Sequence, residues 1–260
     1  MRTATPAGTM ADYDDRFFRY VDRTATVAAE AVVPLIRGCL QPASVLDVGC
    51  GRGAWLAAWQ RHGVTDVTGI DGGYVDRARL LVAPERFRVQ DLRLPFDLGR
   101  RFDLVQCLEV AEHLPRESAP ALLDSLVRHG TIVLFSAAPP GQGGHDHVNE
   151  RGYDEWRGAF AARGYSALDY VRPRILGDRR IAPWYRYNVL LYASDEVLDG
   201  LAASLRASRL PAGPVPDLAP VLYRLRRHLV RHLPIRVATL LARLKERAWR
   251  PGAIGAGEPP

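Results

Sequence analysis

Glycine and aspartate residues mark a point where a strand-like run of the sequence passes into a helical one. The segment VLDVGCGRGA, residues 45–54, reads as a buried strand, a glycine-rich turn and the beginning of a helix. Gly49, Gly51 and Gly53 let the backbone turn tightly and approach a ligand closely. Because Gly49, Gly51 and Ala54 also fit the dinucleotide-binding pattern, the glycines alone do not identify the ligand.

The acidic residues near this turn favour S-adenosylmethionine (SAM) over a dinucleotide. Asp47 stands two residues before the first glycine, where its charge would repel a pyrophosphate but attract an ammonium or sulfonium group. Asp71 ends the next strand-like run and can accept hydrogen bonds from both ribose hydroxyls. Asp91 follows the third run and can accept from the adenine amino group, with Leu92 packed on the ring. One such aspartate is ordinary in a turn, but three after successive strands, together with the glycines, predict a SAM site.

The sequence at 44–193 also resembles the class I SAM-dependent methyltransferases. The resemblance includes the glycine turn, Asp71, Asp91 and the segment FDLVQCLEVAEH at 102–113, and it covers about 60% of the chain. Residues 136–151 resemble a bacterial subgroup associated with glycan and natural-product biosynthesis. The resemblance implies SAM as the cofactor and a Rossmann-like, mostly parallel α/β sheet of seven strands with helices on both faces. The predicted cofactor-binding residues are Asp47, Gly49, Gly51, Gly53, Asp71, Asp91, Leu92 and Leu108.

Candidate catalytic groups follow the fourth and fifth strand-like runs. Methyl transfer from a sulfonium is an in-line displacement, for which an enzyme supplies alignment and, for a hydroxyl or ammonium acceptor, a base. In similar enzymes the end of the fourth strand lies beside the reactive methyl, which places Glu109, Glu112 and His113 there. The loop after the fifth run, kept irregular by prolines and glycines, adds His147. We predict His147 as the base, with His113 and Glu109 as further catalytic candidates; the alternative role for His113 is to order its loop.

The neighbours of His147 offer contacts to a substrate or to a metal ion. We predict His145 and Asn149 as substrate contacts. His145 and His147, with Asp146 and Glu150, also have the side-chain types of a divalent-metal site. That spacing is a weak signal, and the subgroup that the sequence resembles does not require a metal, so we predict none.

Aromatic residues cluster at 13–20, where similar enzymes fold a helical lid over the pocket, and at 184–187, ahead of the last strand-like run. Either cluster can line an acceptor pocket, and packing alone is the alternative. The predicted acceptor contacts among them are Tyr13, Phe17, Trp184 and Tyr187.

Alternating strand and helix patterns must position all of these groups. Apolar residues at helical spacing predict a helix over 14–40. The predicted strands are 44–48, 66–70, 87–89, 102–108, 131–135, 167–171 and 188–192, and the predicted helices are 54–62, 119–129 and 153–163. Such alternation predicts a mostly parallel sheet with ligands at the carboxyl ends of its strands. The predicted organisation is a lid helix at 1–40, a SAM-binding domain at 41–193, a helical arm at 194–250 and a disordered tail at 251–260.

Composition and charge narrow the class of protein. The 260 residues are 47% hydrophobic and 25% charged, which is typical of a globular protein. Three cysteines without paired spacing argue against a disulfide framework. The sequence offers neither the apolar core of a signal peptide nor a run of about 18 apolar residues, so we expect a cytoplasmic protein.

The positive charge is concentrated near the C-terminus. Residues 221–260 hold nine basic and two acidic side chains, which leaves residues 1–220 with a net charge of −1. The absence of a basic main body argues against a nucleic-acid partner. The arm carries two apolar stripes, one of Leu222, Leu225, Leu229 and Leu233 and one of Val237, Leu240, Leu241 and Leu244. Residues 221–250 can therefore pack on the rest of the protein or lie on an anionic membrane surface, and the oligomeric state stays open.

The predicted function is SAM-dependent methyl transfer to an oxygen or nitrogen of a small molecule, such as a sugar or a natural-product scaffold. One alternative is transfer or cyclisation of the aminocarboxypropyl group of SAM, which the same fold can support. The other is a non-catalytic SAM-binding subunit with a tether to a membrane or a partner.

Overall fold

A seven-stranded sheet forms the centre of the molecule. The computed structural model describes residues 15–234, 237 and 239–241, residues 15–18 by their backbone. The strands, in the order β3-β2-β1-β4-β5-β7-β6, are β1 (Ser44–Val48), β2 (Asp66–Asp71), β3 (Phe87–Val89), β4 (Leu104–Leu108), β5 (Ile132–Ser136), β6 (Tyr165–Leu168) and β7 (Leu190–Ser194). β7 runs antiparallel to its neighbours β5 and β6, and the other pairings are parallel. The predicted mostly parallel, seven-stranded α/β fold is confirmed.

Helices connect and cover the strands. They are α1 (Asp15–Leu40), α2 (Ala54–Arg61), α3 (Ala119–His129), α4 (Tyr153–Ala161), α5 (Arg172–Ile175), α6 (Pro183–Asn188), α7 (Ala203–Arg206) and α8 (Val221–Val230). Among the described residues, no helix has both the length and the apolar character needed to cross a bilayer.

The strand order places a ligand site at the middle of the sheet. β1 pairs with β2 on one side and with β4 on the other, so the strand order reverses at β1: β2 and β3 extend the sheet on one side, and β4 and β5 extend it on the other. Ligands of open α/β sheets bind at such a reversal point, outside the carboxyl ends of the strands. The ends of β1, β2 and β4 carry Asp47, Asp71 and Glu109 to this place.

Apolar side chains fix the two layers on the sheet. On one face, Ala28, Val32 and Ile36 of α1 are fully buried, as the helical spacing of the sequence predicts. Trp59 of α2 is also buried there, and its indole nitrogen donates to Gln106 Oε1 at 2.8 Å. This bond satisfies a polar atom that burial would otherwise leave unpaired. An aromatic cluster covers the opposite face, formed by Phe135, Trp156, Phe160, Tyr165 and Tyr192.

Two of the predicted strands are wrong by at least two residues at both ends. The sixth strand is Tyr165–Leu168 and not 167–171, because the chain turns into α5, which has a proline in its first turn. The seventh strand is Leu190–Ser194 and not 188–192, because Pro183 begins α6, which continues to Asn188.

The segment after β7 returns to the sheet domain. The guanidinium of the fully buried Arg172 binds Asp169 at 2.8 Å and donates to Pro216 O at 3.0 Å. Arg157 donates to Gly213 O at 2.7 Å. These contacts bring α8 back across the carboxyl ends of the strands.

Candidate active site

A cavity of about 650 Å³ opens at the carboxyl ends of β1, β2 and β4. The predicted residues that line it are Asp47, Gly49, Gly51, Asp71, Asp91, Leu92, Leu108, Glu109, His113, His145, His147 and Trp184. Residues far apart in the sequence thus meet at one site, as expected for groups that follow successive parallel strands.

The glycine turn shapes one wall of this cavity. Gly51 has φ of +53°, and a Cβ built on it would meet no heavy atom within 4 Å, so the backbone is open on that side. Gly49 has φ of +80°, and a Cβ there would lie 2.3 Å from Val110 Cγ2. Both glycines are needed for backbone conformation, and Gly51 leaves room for a ligand to approach the backbone closely.

Asp71 is fixed by donors of the turn. Its Oδ2 accepts from the Gly51 amide at 2.7 Å, and its Oδ1 accepts from the Gly72 amide at 2.7 Å and from the Tyr74 hydroxyl. Burial raises the pKa of Asp71, and these three hydrogen bonds oppose the rise. The carboxylate therefore has a fixed orientation at the cavity wall.

Asp47 is buried with less support, since burial raises its pKa and only a hydrogen bond with Gln106 opposes the rise. Only 3% of the residue is exposed, and its Oδ2 has no hydrogen-bond partner among the described residues. Burial raises the pKa of Asp47 to about 7, and the nearby charge of Asp71 adds to the rise. An unpaired carboxylate beside a cavity can be stabilised by a cationic ligand.

Asp91 lies at the more exposed edge of the cavity. Arg93 binds it through two nitrogens, with Nη2–Oδ2 of 2.7 Å and Nε–Oδ1 of 2.9 Å. This ion pair lowers the pKa of Asp91, which keeps the carboxylate charged as a hydrogen-bond acceptor. Leu92 beside it is buried in the cavity wall.

Glu109 belongs to a hydrogen-bonded network in the cavity wall. Its Oε2 accepts from Gln142 Nε2 at 2.7 Å and its Oε1 from Asn188 Nδ2 at 3.2 Å, while Asn188 Oδ1 accepts from the Tyr153 hydroxyl at 2.9 Å. Burial raises the pKa of Glu109. The residue has φ of +56°, a conformation that is unfavourable for a side chain and is often found at functional sites.

Glu112, His113 and His147 form a compact cluster at the same end of the cavity. Their candidate ligand atoms lie within 4.8 Å of one another, and the two imidazole rings are 4.8 Å apart and nearly perpendicular. His147 Nδ1 is 2.9 Å from Glu150 Oε1. Burial lowers the pKa of His113 to about 3, and the neighbouring histidines add to the shift. At neutral pH, His113 is therefore a neutral imidazole.

Comparison with known proteins identifies the family. The sequence model of one protein family, described as a methyltransferase domain, matches residues 17–169, which is more than half of the chain. The chain belongs to this family. Membership confirms the predicted class of SAM-dependent methyltransferases and its cofactor, SAM.

Individual relatives match parts of this methyltransferase. The ubiquinone biosynthesis O-methyltransferase of Psychrobacter arcticus is 37% identical over 101 residues, which are 35% of this chain and 39% of that protein. The protein of the same name from Acinetobacter baumannii is 33% identical over 108 residues, 38% of this chain and 45% of that one. The chain thus matches less than half the length of these curated relatives.

Solved structures support the fold. Streptomyces venezuelae DesVI superposes with a TM-score of 0.51 at 19% identity, covering 72% of this chain and 99% of that one. A putative O-methyltransferase from Nostoc punctiforme gives 0.51 at 16% identity, covering 68% of this chain and 59% of that one. At these identities the likeness concerns the fold alone.

The residues of the methyltransferase fit SAM at one end of the cavity. Asp47 Oδ2, which has no partner among the described residues, suits a cationic ligand, and the open backbone at Gly51 allows a close approach. Asp71 and Asp91 present carboxylate oxygens to the cavity. The sequence predicts all four of these residues as cofactor-binding residues, and the fold brings them together in one cavity.

Three predicted contacts do not line the cavity. Gly53, with φ of +87°, precedes α2 and serves the turn. Asn149 is buried within its loop, where its Nδ2 donates to Ala111 O at 3.1 Å. The ring of Tyr187 packs 5.4 Å from that of Tyr223. Of the remaining predicted contacts, Tyr13 lies outside the described residues, as does the side chain of Phe17.

Other cavity residues were not predicted. Arg52 and Asp22 form an ion pair between the glycine turn and α1, with Nε–Oδ2 of 2.7 Å. Burial raises the pKa of Asp22, and Arg52 opposes the rise.

α8 contributes one face to the cavity through Tyr223, Arg226 and Val230. The helical spacing of these last three residues was visible in the sequence, but the return of α8 to the site was not.

Proposed function

We propose that the protein transfers the methyl group of SAM to an oxygen or nitrogen of a small molecule, such as a sugar or a natural-product scaffold. The observation that carries the proposal is one cavity with two chemically different ends. Asp47, Asp71 and Asp91 lie at the first end, and the cluster of Glu112, His113 and His147 lies at the second. A volume of about 650 Å³ is in the range of small-molecule sites.

At the first end, each acidic residue has a separate task in the proposal. Asp47 faces the cationic part of the cofactor, Asp71 accepts from the ribose hydroxyls, and Asp91 accepts from the adenine amino group. Leu92 and Leu108 supply apolar surface for the adenine ring. SAM supplies a methyl group already activated on a sulfonium, so these residues need only bind and orient it.

At the second end, His147 is the residue that we place against the acceptor. Its Nδ1 is bound to Glu150, which leaves Nε2 as the nitrogen available to the cavity. Glu150 is itself held by the amides of Gly141 at 2.7 Å and Gly143 at 2.8 Å. His147 is thus fixed by its neighbours before an acceptor binds, which favours a role in activating the acceptor.

The distribution of charge supports a small acceptor. Residues 1–220 carry a net charge of −1, and the cavity presents several carboxylates. A protein that binds a nucleic acid with its main body would be expected to carry a basic patch there.

We also propose that residues 221–250 contact an anionic membrane surface. Leu222, Leu225 and Leu229 form an exposed apolar stripe on α8, with 62%, 54% and 63% of their surfaces accessible. Arg224 and Arg231 flank this stripe and are exposed. Apolar side chains beside arginines are the combination that binds anionic interfaces.

Identification of the nucleoside product tests the proposed reaction. The protein is incubated with SAM and a panel of hydroxylated sugars, amino sugars and phenols, the phenols being included because ubiquinone biosynthesis O-methyltransferases match the chain. S-adenosylhomocysteine formed only with an acceptor is the expected product. Methylthioadenosine would instead show transfer of the aminocarboxypropyl group, and SAM binding without turnover across the panel and cell-extract acceptors would favour a binding subunit.

A variant separates the two ends of the cavity. His147→Ala should lower turnover by about 10²-fold or more, because the acceptor loses its activating group, while SAM affinity stays close to that of the parent protein. Isothermal calorimetry with SAM and product formation are measured on the same preparation. Full turnover in His147→Ala, with loss in His113→Ala, would assign the role to the other histidine.

A further inference from the structure

We propose that Glu112, His113 and His147 bind a divalent metal ion of the first transition row beside the acceptor. The proposal rests on the function proposed above and states how the second end of the cavity acts. Two imidazole nitrogens and one carboxylate oxygen form a donor set that suits Zn²⁺, Mn²⁺ or Co²⁺ better than Mg²⁺, which prefers oxygen donors and bound water.

The distances within the cluster are close to those of a metal site. One ligand atom from each of the three side chains lies within 4.8 Å of the other two. Ligands bound at about 2.1 Å to a common ion are at most about 4.2 Å apart. Small rotations of the side chains are therefore sufficient to bring all three onto one ion.

Glu112 provides a second and independent observation. Its side chain is fully buried, and neither carboxylate oxygen has a hydrogen-bond partner among the described residues. Burying a carboxylate that lacks a hydrogen-bond donor among the described residues is costly. Because Glu112 also lines the cavity, a cation bound there would supply the missing partner.

His147 is oriented in the way that metal ligands usually are. Its Nδ1 bonds to Glu150, and Glu150 is fixed by two backbone amides, so Nε2 is the nitrogen available to an ion. A carboxylate behind a ligand histidine fixes its tautomer and its ring orientation. The amides of Val148 and Asn149 also donate to Glu112 O, at 2.8 and 3.0 Å, which ties the histidine loop to the turn after β4.

The proposed ligands differ from the four residues, His145, Asp146, His147 and Glu150, whose side-chain types in the sequence are those of a metal site. Glu150 is occupied by Gly141, Gly143 and His147 Nδ1, and Asp146 is 59% exposed at its side chain. The ligands come instead from the turn after β4 together with one histidine of the loop. Glu112 and His113 are adjacent in the sequence, whereas His147 reaches them only through the fold.

The open side of the cluster faces the acceptor end of the cavity, since all three residues line it. An ion there would bind an acceptor hydroxyl and lower its pKa. The hydroxyl proton then leaves to solvent, and the oxygen lone pair forms the new C–O bond as the C–S bond of SAM breaks, which gives S-adenosylhomocysteine. In this arrangement His147 activates the acceptor through the ion and does not take the proton itself.

Cobalt binding tests the site without any methyl acceptor. His228 and His232 have ring centroids 5.3 Å apart and could compete for metal, so His228→Ala is the background for every sample. The full chain is freed of metal with a chelator and titrated with Co²⁺, by calorimetry and by visible absorption. We expect one ion per chain with the absorption of a nitrogen- and oxygen-bound cobalt, displaced by Zn²⁺ and not by equal Mg²⁺.

Variants assign the ligands. Glu112→Gln and His147→Ala should each weaken Co²⁺ binding at least tenfold, whereas the matched loop variant Asp146→Asn should bind as the background does. Glu150→Gln keeps all three ligands and should bind Co²⁺ with intermediate affinity. It therefore replaces a ligand variant that fails to fold. Folding is judged by thermal melting. Absent Co²⁺ binding in the background, or unchanged binding in folded Glu112→Gln, would overturn the proposal.

Turnover distinguishes this proposal from the proposed function. Chelator treatment should lower S-adenosylhomocysteine formation at least tenfold, with recovery on adding Mn²⁺ or Zn²⁺, while SAM affinity is unchanged. Methylation that continues at the full rate in metal-free protein would overturn the metal site and leave the methyltransferase activity intact. Site-specific Co²⁺ binding without product from any acceptor would leave the metal site intact and overturn the proposed function.

Discussion

Asp47 places a buried carboxylate near the carboxyl end of β1, where it lowers stability and, in the proposed function, faces the cationic part of SAM. Its folded pKa of about 7 lies well above the ordinary value of 3.8. Between these two pH values the folded protein keeps a proton that the unfolded chain has lost, so unfolding releases a proton. Stability therefore falls as the pH rises from about 4 to about 7, and above pH 7 the full cost remains, on the order of 4 kcal/mol.

Asp47→Asn should remove much of this cost, since an asparagine side chain has no charge to bury. We expect the free energy of unfolding at pH 8 to rise by about 1–3 kcal/mol, because the amide still lacks some partners, with a smaller gain at pH 5. SAM affinity should fall in the same variant. Urea unfolding at both pH values and calorimetry with SAM measure these effects, and equal stability changes at pH 5 and pH 8 would contradict the assignment.

Asp71 should contribute to SAM binding through two hydrogen bonds. Asp71→Ala should weaken SAM binding by at least about 1.5 kcal/mol, since two charge-assisted hydrogen bonds to the ribose are lost. Because Asp71 also holds the Gly51 and Gly72 amides, Asp71→Asn is the milder companion variant. Tyr74→Phe is the matched control, since it removes a donor to Asp71 and leaves the carboxylate. Unchanged affinity in folded Asp71→Ala, measured by calorimetry, would refute the ribose contact.

The sequence was sufficient for residues whose position follows from the strand pattern alone. Asp47, Asp71 and Glu109 end parallel strands, so their meeting at one edge could be predicted before any contact was known. Asp22 and Tyr223 could not be found in this way, because their presence at the cavity depends on how α1 and α8 cross it. Gly53 and Asn149 have the expected residue types, but their backbone and side-chain bonds serve the turn and the loop.

At the scale of elements, the turn between β1 and α2 is the part of the fold most tightly specified by residue type. Both Gly49 and Gly51 have positive φ, but their surroundings differ. A Cβ on Gly49 would lie 2.3 Å from Val110 Cγ2, whereas one on Gly51 would meet nothing within 4 Å. A substitution at Gly49 therefore tests the packing of the turn, and a substitution at Gly51 tests how closely a ligand approaches the backbone.

Alanine at the two glycines should have different effects. Gly49→Ala should lower the free energy of unfolding by about 2–4 kcal/mol, because conformational strain and overpacking add. Gly51→Ala should lower it by about 1–2 kcal/mol, from strain alone, and should weaken SAM binding because the methyl group occupies open cavity space. Denaturant unfolding and SAM calorimetry of both variants decide this. A smaller stability loss for Gly49→Ala than for Gly51→Ala would contradict the contacts described here.

Element boundaries show the limit of periodicity. β1 to β3 were predicted nearly to the residue, since a glycine or an aspartate stands within two residues of the end of each strand. The last two strands were misplaced because the tyrosine- and valine-rich segments beside them also suit strands, while prolines begin α5 and α6 there. Local propensity could not decide between these alternatives, and packing against the sheet did.

At the scale of the whole molecule, α8 has two faces with different surroundings. Tyr223, Arg226 and Val230 line the cavity, and Arg226 donates to Gln142 O at 3.1 Å. The stripe of Leu222, Leu225 and Leu229 is exposed on the other side. A surface bound by this stripe would therefore lie close to the acceptor end of the cavity, which is where a lipid-linked or glycan acceptor would be delivered.

Flotation with liposomes tests this arrangement on the full chain. We expect the protein to float with anionic vesicles and not with neutral ones, and to be released at 1 M salt, where the Debye length is only about 3 Å. Arg224→Glu with Arg231→Glu should abolish flotation, because two attractive charges become repulsive. The matched control, Arg88→Glu with Arg179→Glu, makes the same charge change at exposed positions outside α8 and should float like the parent. A chain ending at Pro220 lacks the whole of α8 and should stay with the soluble fraction. Equal recovery of this shortened chain and the full chain with anionic vesicles would leave α8 with packing against the cavity as its role.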